Sequence, residues 1–239
     1  MITVLEAVLF VYLAGCVLYN LLLAVAGRLR RKKKADYAET DIYAKVAILI
    51  PAYKEDSIIL STVASYHSLH YPVDKFDVVV IADSLQPRTL EELAATGVNV
   101  IPVKFEKSTK AKSLNMAFEQ LGDDYELALI CDADNIIEDD FLLKVNHCFQ
   151  QGNNAIQGQR VAKNLNTPFA ILDAANEIIA NHLYRKGANA LGLSSSVIGS
   201  GMAFHYPLIK GILSEIQATG GFDKVLEFLV IAKGYTITY

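Results

Sequence analysis

Residues 7–26, AVLFVYLAGCVLYNLLLAVA, run for twenty positions without a charged side chain. As a helix rising about 1.5 Å per residue, such a run is about 30 Å long, the thickness of a bilayer's hydrocarbon core. It has three possible fates: cleavage, burial in a core, or insertion in a membrane. A secretory signal places its positive charges before an apolar core of roughly 7–15 residues. Here Glu6 precedes the run and RLRRKKK (28–34) follows it, so the order is reversed, although Ala24-Val25-Ala26 has the small-residue look of a cleavage site. A flank with that much positive charge is retained in the cytoplasm. The expectation is a membrane anchor over residues 1–27, a basic juxtamembrane linker over 28–44, and a body over 45–239. The chain is then single-pass in the cell membrane with its body cytoplasmic. The basic cluster reads as a contact to anionic lipid head groups, or equally as a bare topology signal.

Setting that segment apart changes the charge of the rest. The chain has 22 Lys+Arg and 26 Asp+Glu, of which six and one lie in residues 1–34, so the body carries a net charge of −9. An acidic body is a poor nucleic-acid binder, because affinity for phosphate backbones comes from Lys and Arg. Cys16, Cys131 and Cys148 form no CxxC, and the five histidines form no HExxH, which removes disulfide frameworks and the common zinc sites.

From Lys45 onward, short aliphatic runs alternate with helical spacing. VAILI (46–50) reads as a buried strand ended by Pro51, and Asp56 or Ser57 as the cap of a helix running to about His70. Further strands are expected at 77–82, 98–103 and 127–134, with helices near 89–96, 110–121 and 138–149. A strand at 155–162 and a long helix opened by Thr167-Pro168 and reaching Tyr184 come next. A loop and strand over 194–204, a helix at 222–233 closed by Gly234, and a terminal strand complete the pattern. Such alternation is the mark of an α/β layer with a mainly parallel sheet.

In open sheets of this kind, ligands bind beyond the carboxyl ends of the strands. Glu55, Asp83, Asp132 and Asp134 all fall there. Any one of them alone reads as an ordinary turn or cap residue. The pair in C-D-A-D-N is sharper, because two carboxylates two residues apart on an extended segment suit a hard divalent cation that shares its other positions with phosphates. No GxxxxGK[ST] occurs and no GxGxxG follows the first strand, which sets aside Walker and dinucleotide sites.

The ordered set IPAYKED (50–56), IADS (81–84), TKAKSLN (109–115), CDADN (131–135), GSGMAF (199–204) and GGFDKVLEF (220–228) resembles the inverting family 2 glycosyltransferases, nearest to membrane-bound polysaccharide-type members. The resemblance covers about residues 45–239 and implies a GT-A fold, a nucleotide-sugar donor (most often a UDP-sugar), a Mg²⁺ or Mn²⁺ ion, and a glycan or lipid-linked acceptor. It implies that Pro51, Ala52, Tyr53 and Glu55 surround the nucleoside, that Asp83 binds the base, and that Lys110 lies close to the nucleotide. Asp132 and Asp134 would hold the metal, Asp132 also touching the nucleotide sugar. Gly199, Ser200 and Gly201 would floor the acceptor side. Asp223 falls where the family's catalytic aspartate belongs, in a segment usually written TED that here reads GFD. Lys110 and Asp223 also read as a solvated charge and a helix-start acid. Processive members carry a QxxRW segment, and these 239 residues contain no Trp. Two other functions fit less well: a nucleotidyltransferase on a similar sheet, which calls for a basic, Gly-rich loop after the first strand, and a membrane-tethered binding protein without turnover.

Overall fold

The computed structural model describes residues 3–30, 42–216 and 220–239. Helix α1 (Val4–Leu29) starts at a reciprocal cap, in which the Thr3 hydroxyl accepts from the Glu6 N–H and the Glu6 carboxylate accepts from the Thr3 N–H. It is 26 residues long, with a mean hydropathy of 2.3 over its most apolar stretch, enough in length and composition to cross a membrane. Arg28 lies in its last turn; residues 31–34 of the basic flank lie outside the described residues.

The elements that follow are β1 (Val46–Tyr53), α2 (Ile59–Ser65), β2 (Phe76–Asp83), α3 (Pro87–Ala95), β3 (Asn99–Val103), α4 (Lys110–Gln120), β4 (Leu127–Ile130), α5 (Phe141–Gln150) and β5 (Ala155–Gln157). Next come α6 (Pro168–Ala180), which runs through a π-helical turn (Asn181–Gly187) into the short α7 (Ala188–Ala190), then β6 (Met202–His205), α8 (Tyr206–Leu213), α9 (Phe222–Ala232) and β7 (Ile237–Thr238). Contacts divide these into two compact units. One comprises α1, residues 159–196 and the last two residues; the other comprises residues 36–158 and 197–237.

The strands form a seven-stranded sheet in the order β3-β2-β1-β4-β6-β5-β7. The first four are parallel, whereas β6 runs antiparallel to both β4 and β5, so the sheet is mixed. Alternation along β1 separates two cores. Ala47 and Leu49 face α4, α8 and α9 through Leu114, Phe118, Ile209 and Leu226. Val46, Ile48 and Ile50 face α2, α3 and α5 through Ile59, Val63, Leu93 and Leu142. Both faces are covered, which is why these strands read as continuous apolar runs.

Several boundaries differ from the sequence reading, each for a physical reason. Strand β1 continues through Pro51 to Tyr53, because its ladder with β4 ends at Leu49 and the proline's missing N–H costs nothing on that open side. Helix α2 is capped at Ile58 without a side-chain bond; Asp56 instead accepts from the Gln86 N–H and the Thr89 hydroxyl, tying this loop to the start of α3. Strand β4 stops at Ile130, so Cys131 to Asp134 form a turn, and β5 stops at Gln157. Helix α5 begins at Phe141, three residues later than expected. Thr167 does cap α6, its hydroxyl accepting from the Ala170 N–H. Helix α8 was not foreseen; its apolar residues Ile209, Ile212 and Leu213 follow directly on β6.

Candidate active site

Strands β1 and β4 are neighbours although β1 leads first to β2, so the chain reverses its direction of travel across the sheet between them. A crevice opens at such a point beyond the carboxyl ends. Here it is a cavity of about 440 Å³. Strand β1 contributes Pro51, Ala52, Tyr53 and, just beyond it, Glu55; β2 contributes Asp83; the start of α4 contributes Thr109, Lys110 and Ser113; the turn after β4 contributes Asp132 and Asp134. Eight residues singled out in the sequence therefore line one space.

The two strand ends that frame it are strained. Lys54 (φ 57°) and Ser84 (φ 58°) take left-handed backbone conformations that residues with a Cβ rarely adopt. They are joined by the Lys54 N–H donating to the Asp83 carbonyl at 3.0 Å. The Asp83 side chain is 1% exposed. One of its oxygens accepts from the Ser84 hydroxyl at 2.9 Å, and the other, Oδ2, has no partner. A buried carboxylate oxygen without a donor is costly and marks a place where a ligand N–H or O–H fits.

Lys110 sits at the first position of α4, where the helix dipole disfavours a cation. It is held by acceptors: its Nζ donates to the Asp132 carboxylate and, at 2.7 Å, to the Gly199 carbonyl. The positive end of α4 and this ammonium together suit an anion.

The turn carrying Asp132 and Asp134 is braced on two sides. From α2, the buried Thr62 hydroxyl donates to the Ala133 carbonyl at 2.6 Å. From the other side, the Ser200 hydroxyl accepts from the Asp132 N–H at 2.9 Å and donates to Asn135 Oδ1 at 2.7 Å. Ser200 thus stands behind Asp132. Its own loop is fixed by Gln157, which donates to the Ser200 carbonyl and accepts from the Ile198 N–H. Gly201 accepts from the Gly158 N–H. Thr62, Asn135 and Gln157 escaped the sequence reading because their roles rest on contacts spanning 41–71 residues, which no local pattern signals. Cys131, buried between these braces, has its thiol pushed up to about 11 by burial, so it is packing rather than a nucleophile.

Asp223 does not line the cavity. It occupies the first turn of α9, half-buried, beside Gly199: a Cβ built on that glycine would lie 3.9 Å from the Asp223 Cβ. Gly199 (φ 82°) therefore lies between the Lys110 ammonium and Asp223. Four helix positions on, Glu227 accepts from the Val197 N–H at 3.0 Å and anchors the start of the same loop.

Comparison with known proteins gives this arrangement a context. No curated protein sequence matches the chain. Among solved structures it is similar to the mannosyltransferase PcManGT from Pyrobaculum calidifontis in complex with GDP-Man and Mn²⁺, at 20% identity and a TM-score of 0.63, covering 98% of this chain and 66% of that one. It is also similar to S. aureus TarS 1-349 in complex with UDP-GlcNAc (16% identity, TM-score 0.54, 77% and 52% covered). A third is glucosyl-3-phosphoglycerate synthase from Mycobacterium tuberculosis in complex with Mn²⁺, UDP and phosphoglyceric acid (15% identity, TM-score 0.52, 90% and 70% covered). The chain thus spans about two thirds of the first and about half of the second. These likenesses fix the fold as GT-A. The sequence model described as "Glycosyltransferase like family 2" matches residues 44–239, more than four fifths of the chain, and the chain belongs to glycosyltransferase family 2.

Proposed function

We propose that this chain is a membrane-anchored glycosyltransferase that moves a sugar from a nucleoside-diphosphate donor to a glycan or lipid-linked acceptor with inversion at the anomeric carbon. One observation carries the reading: Asp83, Lys110, Asp132 and Asp134 line a single cavity at the carboxyl ends of β1, β2 and β4. The length and apolarity of α1 support the anchor, with the basic flank on the cytoplasmic side. Two of the three related structures hold a uridine nucleotide, which makes UDP the first donor nucleotide to test.

The residues fit a divalent cation. Asp132 and Asp134 offer hard carboxylate oxygens at the cavity, the donor chemistry such a cation shares with phosphate oxygens. Bound there, Mg²⁺ or Mn²⁺ supplies Lewis-acid stabilisation of the departing diphosphate. The protein's own part begins with Asp83, whose unpaired oxygen accepts from the base. Lys110 and the start of α4 face the charge that grows on the leaving group, and Lys110 stays within reach of both Asp132 and the Gly199 carbonyl. Asp223, beyond Gly199, takes the proton of the acceptor hydroxyl as that oxygen bonds to the anomeric carbon and the bond to the diphosphate breaks. One displacement from the opposite face gives inversion, with the base contributing about 10²–10⁴-fold.

Titration calorimetry with UDP, in Mn²⁺ or in EDTA, tests the cavity. Binding that depends on the cation and is lost in Asp134→Ala is expected. Equal affinity in both media would remove the metal from the reading, and an Asp134→Ala chain that binds normally would remove that residue.

A further inference from the structure

Helix α6 is built inside out. Its protein-facing side carries Glu177, 8% exposed, which leads on to Asn181 and Arg185 in the π-helical turn. These are joined in one polar cluster, in which the buried Arg185 Nε is left without a partner among the described residues. Arg185 donates to Glu177 at 2.7 Å and to Asn181 at 2.5 Å, Arg160 donates to the other Glu177 oxygen at 2.7 Å, and Asn181 donates to the Arg160 carbonyl. The outward side carries Phe169 (84% exposed), Ile171, Leu172 (66%), Ile178 (67%) and Ile179. At 100° per residue these five fall within about half of the helix circumference. Two exposed polar residues interrupt that surface, Asp173 beside the arc and Asn176 within it. Even so, a buried Glu177 cluster inward and five large apolar side chains outward reverse the pattern of a helix on a water-soluble domain and suit contact with lipid.

The same unit says which lipid. The turn that continues α6 packs on the C-terminal part of α1. His182 bonds the Ala24 carbonyl at 2.9 Å, and the Tyr184 hydroxyl donates to Asn20 at 3.1 Å. The crossing is close because both helices put glycine there: a Cβ on Gly27 would lie 2.9 Å from the His182 carbonyl, and one on Gly187 would collide with the Leu23 carbonyl. The outward face of α6 and the exposed apolar surface of α1 therefore belong to one compact unit, joined through the π-helical turn near the end of α1 that bears Arg28 and Arg30. The helix continues through the π-helical turn, but that part packs on α1 and carries His182, Arg185 and Lys186. The apolar face is thus confined to the 13 residues of α6, about 20 Å, too short to cross a hydrocarbon core of about 30 Å.

We infer that α6 is a second membrane element, a non-spanning helix whose Phe169–Ile179 face contacts the acyl chains of the leaflet at the basic end of α1. The inference rests on α1 being the membrane span, and the test separates the two. The chain contains no tryptophan, so a single introduced one is a unique reporter. Phe169→Trp and, independently, Ile178→Trp report on α6, and Phe10→Trp, on the exposed surface of α1, reports on the span. All are read in the full chain reconstituted into vesicles of lipid with brominated acyl chains, compared with unbrominated lipid. Loss of most of the emission at all three positions is the expected result. Quenching at residue 10 with water-exposed, unquenched emission at 169 and 178 would overturn the α6 contact and keep the anchor. No quenching anywhere would overturn both.

Discussion

Ser200→Ala is the most informative small change, because it removes a single hydroxyl and no charge. The hydroxyl, on a residue 2% exposed, accepts from the Asp132 N–H and donates to Asn135 Oδ1. Each net hydrogen bond contributes about 0.5–1.5 kcal/mol, and orphaning a buried partner costs about 1–3 kcal/mol. Asp132 and Asn135 lie at the cavity's edge, where water can replace part of the loss, so the total should be about 1–3 kcal/mol. At roughly 2–4 °C per kcal/mol for a domain of 150–250 residues, the melting temperature falls by about 2–12 °C. The functional consequence is separate: Asp132 keeps its carboxylate but loses the brace on its backbone. If the brace positions that carboxylate, UDP affinity in Mn²⁺ falls by up to about tenfold, equivalent to 1.4 kcal/mol, while the weaker binding in EDTA stays unchanged. Ser214→Ala is the control, since that exposed hydroxyl donates only to the Gly211 carbonyl within its own turn. Calorimetric titration and thermal melting of the detergent-solubilised chain read both effects. A Ser200→Ala chain that matches the parent in melting and in Mn²⁺-dependent affinity would refute the brace; one that melts lower but binds equally would leave a structural bond without a positioning role.

Asp223→Asn should leave UDP binding nearly intact and lower sugar transfer by about 10²–10⁴-fold, or roughly 3–5 kcal/mol of transition-state stabilisation; wild-type turnover would show Asp223 to be only a helix-start acid. The Asp56 carboxylate is held below its ordinary value, first by the Thr89 hydroxyl and then by the Gln86 N–H. Its stabilisation is therefore present above the unfolded-state pKa and lost as pH falls through the folded one, so Asp56→Asn should flatten the acid limb of a stability-against-pH curve below about pH 4; an unchanged limb counts against the assignment. Cys131, buried and with a raised pKa, should resist iodoacetamide at pH 8 until denaturant is added, as peptide mass spectrometry would show; labelling of the native chain would mean that the end of β4 opens.

What the sequence discloses and what it hides follow from the range of the forces involved. The parallel strands were legible because burial on both faces leaves an uninterrupted aliphatic run, as in Val46 to Ile50. The acids at their ends were legible because chain order already puts Asp83 and Asp132 after strands. Local cues went wrong where a distant partner competes for the same group. Asp56 has the side chain of a cap, but Thr89 and Gln86 take it instead. Other contacts left no local cue at all: the bond from the Asp132 N–H to the Ser200 hydroxyl spans 68 residues. Helix α8 hid because Tyr206-Pro207 follows β6 with no loop between them, and a proline at a helix's start is indistinguishable, by itself, from one that ends a strand.

Unfavourable features concentrate at one end of the sheet. Lys54 and Ser84 adopt left-handed backbone, Asp83 keeps an unpaired oxygen in a buried side chain, and Lys110 opposes the dipole of α4. The left-handed residues and the unpaired oxygen cost about 1–3 kcal/mol each in isolation, and the cation at the helix start about 0.3–1 kcal/mol. The two apolar cores on either face supply the stability that tolerates them, although the core on the α4, α8 and α9 side also holds the buried Tyr206 hydroxyl without a partner. A nucleoside diphosphate with its cation would relieve two of the four: a donor on the base pairs with Asp83, and the phosphates meet Lys110 at the positive end of α4. The backbone strain at Lys54 and Ser84 is not relieved, because it holds the ends of β1 and β2 apart from ordinary turn geometry with or without ligand. Ligand binding and folding are therefore linked through the side chains that meet the ligand, Asp83 and Lys110 together with the cation-holding Asp132 and Asp134, and the stabilisation by ligand should shrink when those side chains, not the strained backbone, are altered.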